Sequence, residues 1–158
     1  MAIDYKQAGV DVKAGDSLVE WLKATNPKWP NQHLQVDGIG GFAALFRADF
    51  KDYKKPCLVS CTDGVGTKIK LAAKAESYQG VGQDLVAMCA NDLVCTGGVP
   101  LFFLDYYACG KLLLNPAKDF LTGVSDACLK SFIELIGGET AEMPGVYEGS
   151  DFDCAGFA

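Results

Sequence analysis

The sequence predicts an α+β domain in which a mixed sheet carries helices on one face and meets a second sheet, across a dimer, on the other. Three observations lead there. Residues 82–107, GQDLVAMCANDLVCTGGVPLFFLDYY, join a helix-patterned run through a glycine turn to a strand that is apolar on both faces. Units made of an apolar element followed by glycines and acids recur along the chain. Finally, 158 residues with 49% hydrophobic and 22% charged side chains suit one globular domain with a sizeable core.

The elements follow in order. Residues 1–16 are polar and read as a flexible arm. Asp16 or Asp11 can cap a helix running through Trp21 to Ala24, with Leu18, Trp21 and Leu22 as its apolar side; Asn26-Pro27-Lys28-Trp29-Pro30 breaks it. Asp37-Gly38-Ile39-Gly40-Gly41-Phe42-Ala43 comes next. Its spacing fits the dinucleotide fingerprint, yet no strand precedes it and no βαβ unit surrounds it, so a glycine turn leading into a strand over 42–46 is preferred. Cys57-Leu58-Val59-Ser60-Cys61 reads as a short buried strand, with Thr62-Asp63-Gly64-Val65-Gly66-Thr67-Lys68 directly after it. An acid, glycines, hydroxyls and a lysine at a strand end suit a small-molecule site, although the spacing is not that of a P-loop.

Val81, Leu85, Cys89 and Leu93 recur every four residues and make the buried stripe of a helix, which Gly97-Gly98 and Pro100 stop. In the strand from Leu101 to Tyr107, Phe103, Asp105 and Tyr107 share one face, and Phe102, Leu104 and Tyr106 the other. Asp105 is the anomaly there, since a buried carboxylate is costly unless paired, protonated or beside a cation. A further helix starts near Pro116 and runs to about Ser131. A strand over Phe132–Ile136 then ends in Gly137-Gly138-Glu139-Thr140-Ala141-Glu142, and a last strand occupies Asp151–Ala158. Glu134, inside a buried run, needs a partner.

The net charge of −6 without a basic stretch argues against nucleic acid as a partner, but glycine-loop amides, lysines and Mg²⁺ still permit a phosphate ligand. Seven cysteines, no CxxC and a single histidine, His33, disfavour zinc and point to a reducing, cytoplasmic setting. No apolar run approaches membrane-spanning length, and the N-terminus lacks a signal-peptide core, so no membrane partner is expected. Asp63, Asp92 with Asn91, and Glu139 with Glu142 lie at the ends of elements. Such acids suit a hard cation such as Mg²⁺ held with substrate phosphates, a carboxylate pair for glycoside hydrolysis, or solvated loop tips. Loop glycines and lysines favour the phosphate reading.

The stretches YKQAGVD (5–11), GIGGFAALF (38–46), VSCTDGVGTK (59–68), DLVAMCANDL (84–93), PLFFLDYYACGKL (100–112) and LIGGETAEMPGVY (135–147) span nearly the whole chain. On these the sequence resembles the N-terminal half of the aminoimidazole ribonucleotide synthetases, or phosphoribosylformylglycinamidine cyclo-ligases. The family's D-x4-G-A-x-P signature falls on Asp92, Gly97, Gly98 and Pro100, with Gly98 in place of alanine. LDYYACGKL and GGETAEMPG set the chain apart from superfamily relatives such as selenophosphate synthetase, thiamine monophosphate kinase and the hydrogenase maturation factor.

The resemblance implies the fold of that ATP-binding superfamily and an ATP-dependent ring closure of formylglycinamidine ribonucleotide. It assigns Asp63, Asp92 and Glu139 to catalysis and to Mg²⁺–ATP. Asn91, Lys68, Gly64, Gly66 and Thr67 become nucleotide contacts, and Gly40, Gly41, Phe42, Asp105, Thr140 and Glu142 substrate contacts. It implies a homodimer whose sheets form a shared barrel, and a second α/β domain that is absent from this chain, whose isolated form would then be inactive. The alternatives are a dimerisation module without catalysis and a superfamily enzyme with another substrate.

Overall fold

A computed structural model describes residues 5–158. The chain order is α1 (Val12–Thr25), a 3₁₀ turn (Gln32–Leu34), β1 (Thr62–Gly64), α2 (Lys68–Ala75), α3 (Gln79–Cys95), β2 (Phe102–Cys109), α4 (Leu114–Lys130), β3 (Glu134–Glu142) and β4 (Phe152–Phe157). The four strands form one mixed sheet in the order β1-β4-β2-β3. β4 runs antiparallel to both β1 and β2, and β2 and β3 are parallel. The α+β class is as expected, with the helices on one face.

The helical face holds the core. Phe103 and Tyr107 of β2, Leu85, Val86 and Cys89 of α3, Phe120 and Val124 of α4, and Leu135 of β3 are all buried. Tyr107 packs against Phe120 and Phe152 with ring centroids 5.4 and 5.3 Å away. α3 and α4 cross at glycines: a Cβ on Gly82 would strike the Phe120 carbonyl, and one on Gly123 the Gln79 carbonyl. Only residues without side chains allow that approach of one main chain to another. α3 then ends where the glycine pair predicts. Gly97 takes φ +79, and the Gly98 amide returns to the Leu93 carbonyl at 3.1 Å.

Four expectations are corrected. α1 begins at Val12 with Asp11 as its cap, so residues 12–16 are helix rather than arm; residues 1–4 of the expected arm lie outside the described residues. Residues 42–46 form no strand, only an isolated bridge between Gln35 and Phe46. Cys57–Cys61 is not a strand either; pairing starts at Thr62, which places Asp63 within β1 rather than beyond it. β3 begins at Glu134 and runs through Gly137 and Gly138 to Glu142, because parallel pairing with β2 carries the glycines along. Phe132, read as strand, takes φ +58 in the preceding turn and is exposed. Glu134 is wholly buried and neither carboxylate oxygen has a hydrogen-bond partner. Burial raises its pKa, with His33 and the Asn31 backbone opposing.

Candidate active site

Along the free edge of β3 lies a cleft of about 390 Å³. Its walls are α1, the loop 38–44 and β3 residues 136–142, with Asp105 at the back. The loop is closed at its base by two antiparallel backbone bonds, Val36 to Leu45 at 2.9 Å and Arg47 to Leu34 at 2.7 Å. The Asp37 carboxylate holds the Leu45 amide at 3.1 Å. Ile39 anchors the loop inward, while Phe42 stands fully exposed at its tip. Gly40 takes φ +107 against the Lys23 side chain, a conformation closed to other residues. The loop therefore has a fixed base and an aromatic, solvent-facing crest.

All six residues assigned to the substrate, Gly40, Gly41, Phe42, Asp105, Thr140 and Glu142, line this one cleft. Glu142 is already engaged. One oxygen accepts from the Leu112 amide at 2.6 Å and the other from the Asp11 amide at 2.5 Å. It thereby fastens the start of α1 to the end of the sheet, which makes it a brace of the cleft wall. That role was not visible in the sequence; neither was the wall itself, built by Val12, Val19 and Leu22 of α1 with Leu112 and Leu121. The apolar periodicity of α1 was the available signal.

Asp105 sits opposite Gly138 in the β2–β3 register, and a Cβ at 138 would overlap its carboxylate. The glycine thus opens the sheet edge to a buried acid. Burial pushes the Asp105 carboxyl up to about 7; the charge of Glu139 adds to this, and its own backbone amide opposes it.

The remaining predicted residues gather elsewhere. Asp63 faces Gly156 across the β1–β4 ladder, and Gly156 faces Asp105 across the β4–β2 ladder. These two acids therefore share a row and a face, about 10 Å apart over two strand spacings. The Phe103 ring and the Cys89 sulfur fill the space over Gly156 between them. The charges of Asp63, on β1, and Asp92, on α3, both bear on the Cys61 and Cys89 thiols, whose pKa values are raised chiefly by burial. Asn91 and Asp92 are exposed on α3. Gly64 ends β1, and Gly66, at φ +74, and Thr67 belong to the turn into α2. Lys68 is paired with Asp84 at 2.6 Å.

Glu139 pairs with Tyr106 and so projects from the face opposite to Asp63 and Asp105. Among the described residues no group of three or more His, Cys, Asp or Glu is placed to hold a metal ion. Within one copy of the chain, then, the set Asp63, Asp92 and Glu139 divides into an acid pair and a separate cleft residue. The pair supplies hard oxygen donors, and one Asp63 oxygen already accepts from the Gly64 amide at 2.7 Å. Two carboxylates completed by phosphate oxygens fit Mg²⁺.

One α+β domain thus carries a glycine-crested cleft at its β3 edge and the acids Asp63 and Asp92 toward its β1 edge. Residues 40–158 match the family described as AIR synthase related protein, N-terminal domain, and the chain belongs to that family. Two solved structures share the fold. Escherichia coli HypE, a hydrogenase maturation protein, is similar with a TM-score of 0.61 and 14% identity over 93% of this chain and 42% of that one. The thiamine-monophosphate kinase of Stenotrophomonas maltophilia K279a gives a TM-score of 0.63 and 18% identity over 91% of this chain and 40% of that one. The chain thus spans about two fifths of the length of these structures. Among the described residues no helix is long and apolar enough to cross a membrane.

Proposed function

We propose that this chain is the nucleotide- and substrate-binding half of an ATP-dependent cyclo-ligase of de novo purine biosynthesis. The enzyme would close formylglycinamidine ribonucleotide to aminoimidazole ribonucleotide, releasing ADP and phosphate. The observation that carries the reading is the convergence of Gly40, Gly41, Phe42, Asp105, Thr140 and Glu142, from three distant stretches, on one cleft. Membership of the AIR synthase related family supports it. Seven free thiols fit a reducing cytoplasm.

In this reading the loop 38–44 covers the ribonucleotide, with Phe42 closing over it. Thr140 and the loop amides position polar groups, and Glu142 keeps α1 in place. Asp105 holds or accepts a proton at the back of the cleft. Asp63 and Asp92 would hold Mg²⁺, with Asn91 beside them and the Gly64–Thr67 turn facing the phosphates. Lys68 exchanges Asp84 for a phosphate oxygen. Bound Mg²⁺–ATP supplies the phosphoryl group that activates the formyl oxygen, a reaction that needs positioning and charge neutralisation more than a protein nucleophile. Glu139 borders the cleft from the opposite face of β3, and its charge acts on Asp105. Two copies associate through the half-buried face bearing Phe102, Leu104 and Tyr106.

Titration calorimetry of the chain with formylglycinamidine ribonucleotide, and separately with Mg²⁺–ATP, tests this. Binding of both is expected, with Phe42→Ala weakening the ribonucleotide about tenfold and leaving the nucleotide unchanged. Heat with thiamine monophosphate and none with the ribonucleotide would move the chain to another substrate. A stable dimer in light scattering that binds none of them would leave a dimerisation module.

A further inference from the structure

The β3-edge cleft carries charge of one sign. Among the described residues its lining includes five acids, Asp11, Asp16, Asp105, Glu139 and Glu142, and no Lys, Arg or His. Lys23, which lies against Gly40, is paired with Glu20 at 2.9 Å. Two of the acids are already engaged. Both oxygens of Glu142 accept backbone amides, and Asp11 accepts the Ala14 amide as the cap of α1. Asp16 and Glu139 are exposed, where water screens them.

Asp105 differs from all four. It is 5% exposed. Among the described residues nothing but its own backbone amide donates to the carboxylate, and the one charge bearing on it, that of Glu139, is repulsive. Gly138 has no side chain to stand between this carboxylate and the cleft; an added Cβ would overlap Oδ1. Apolar residues, Leu18, Leu22, Leu121 and Ile136 among them, line the same walls. A carboxylate so placed is costly when it lacks a counter-charge, and a ligand that brings one recovers the cost.

The surroundings select the kind of cation. A metal ion needs several oxygen donors, and no group of three acids, His or Cys is placed to hold one among the described residues. An ammonium is compact and strongly hydrated, so apolar walls strip it at high cost. A planar, delocalised cation is more weakly hydrated and offers two parallel N–H donors to the two oxygens of one carboxylate. Thr140 lies two residues beyond Gly138, on the same face of β3, and its hydroxyl is an acceptor for a remaining N–H.

We infer that Asp105 anchors a cationic group of the amidine type, its carboxylate taking two N–H donors at the back of the cleft. The acids nearer the mouth draw such a group inward and repel an anionic end. A ligand that also bears a phosphate therefore leaves that end outside, at the amides of the 38–41 loop. The inference rests on the ribonucleotide reading for the cleft being a substrate site, and it deepens that reading. The amidine of formylglycinamidine ribonucleotide is the end that enters, and the amide counterpart, with oxygen in place of the imino nitrogen, is refused.

The test titrates the isotope-labelled chain with benzamidinium and with benzamide, which match in shape and differ in charge, and follows the backbone amide resonances of Gly138, Glu139 and Thr140. Benzamidinium is expected to shift them with an affinity about tenfold above that of benzamide, and added salt to narrow the gap. In Asp105→Asn, a substitution of equal size, the preference is expected to vanish, whereas Asp16→Asn lowers it only about twofold. Equal response to the two probes in the parent chain would overturn the inference, as would a preference that Asp105→Asn retains. Calorimetry with the amidine and amide ribonucleotides separates the two claims. If neither ribonucleotide binds while the benzamidinium preference and its loss in Asp105→Asn persist, the anchor stands and the ring-closing reading alone falls.

Discussion

Asp105 and Glu134 are two acids buried in neighbouring strands, and they are buried to different ends. Asp105, 5% exposed, sits opposite a glycine and borders the cleft. Glu134, 0% exposed, sits opposite Phe102 with both oxygens unpartnered. The same penalty of desolvation falls on both. In one case the missing side chain at residue 138 leaves room for the carboxylate at the back of a cleft; in the other the acid stays an internal load on the fold. Burial of an acid is therefore weak evidence of function until the opening that serves it is found.

The largest test of this contrast is Gly138→Ala. The new Cβ overlaps the Asp105 carboxylate and the carbonyl of the same residue, so a loss of about 3 kcal/mol is expected, read from urea unfolding. The same change at Gly145, whose Cβ meets nothing within 4 Å, strains only a positive φ and should cost less. Glu134→Leu acts in the opposite direction. Removing a buried carboxyl that has no hydrogen bond should stabilise the fold by about 1 kcal/mol, the lost attraction of His33 taking back part of the gain.

The pH dependence follows from the same pair. Both acids are raised in the folded state, so the native protein binds protons more tightly than the unfolded chain. Their contribution is fully present below the ordinary carboxylate range and fades as pH rises, for Asp105 through about 7. Asp105→Asn should flatten stability between pH 5 and 8, and should abolish any step near pH 7 in ribonucleotide affinity; denaturation midpoints and calorimetry at both pH values check this. The smallest effect belongs to Lys68→Ala. Lys68 and Asp84 form a half-exposed ion pair, so stability should change by less than about 1 kcal/mol while Mg²⁺–ATP affinity falls.

Much of the fold could be read in advance where one local signal prevailed. The four-residue recurrence of Val81, Leu85, Cys89 and Leu93 marks α3 to within two residues, and the aromatic run marks β2. The misreadings have tertiary causes. Gly137-Gly138 resembles the end of a strand by composition, but pairing with β2 keeps it within β3. CLVSC has strand composition, but among the described residues its first four members make no backbone hydrogen bond to a neighbouring strand. α2 went unread because KIKLAAKA is short, although Ile69, Ala72 and Ala73 carry its buried face. The cleft residues were legible as glycine-and-acid clusters. Their division from Asp63 and Asp92 was not, because which face of a sheet a residue takes depends on register.

The crossing at Gly82 and Gly123 has one further consequence. Because α3 and α4 touch there without intervening side chains, they form a rigid slab. Asp92 rides on one helix and Leu121, in the cleft wall, on the other. The interval between the acid pair and the cleft is thus set by peptide geometry, leaving the 38–44 crest free to be reshaped for a different guest without disturbing that spacing.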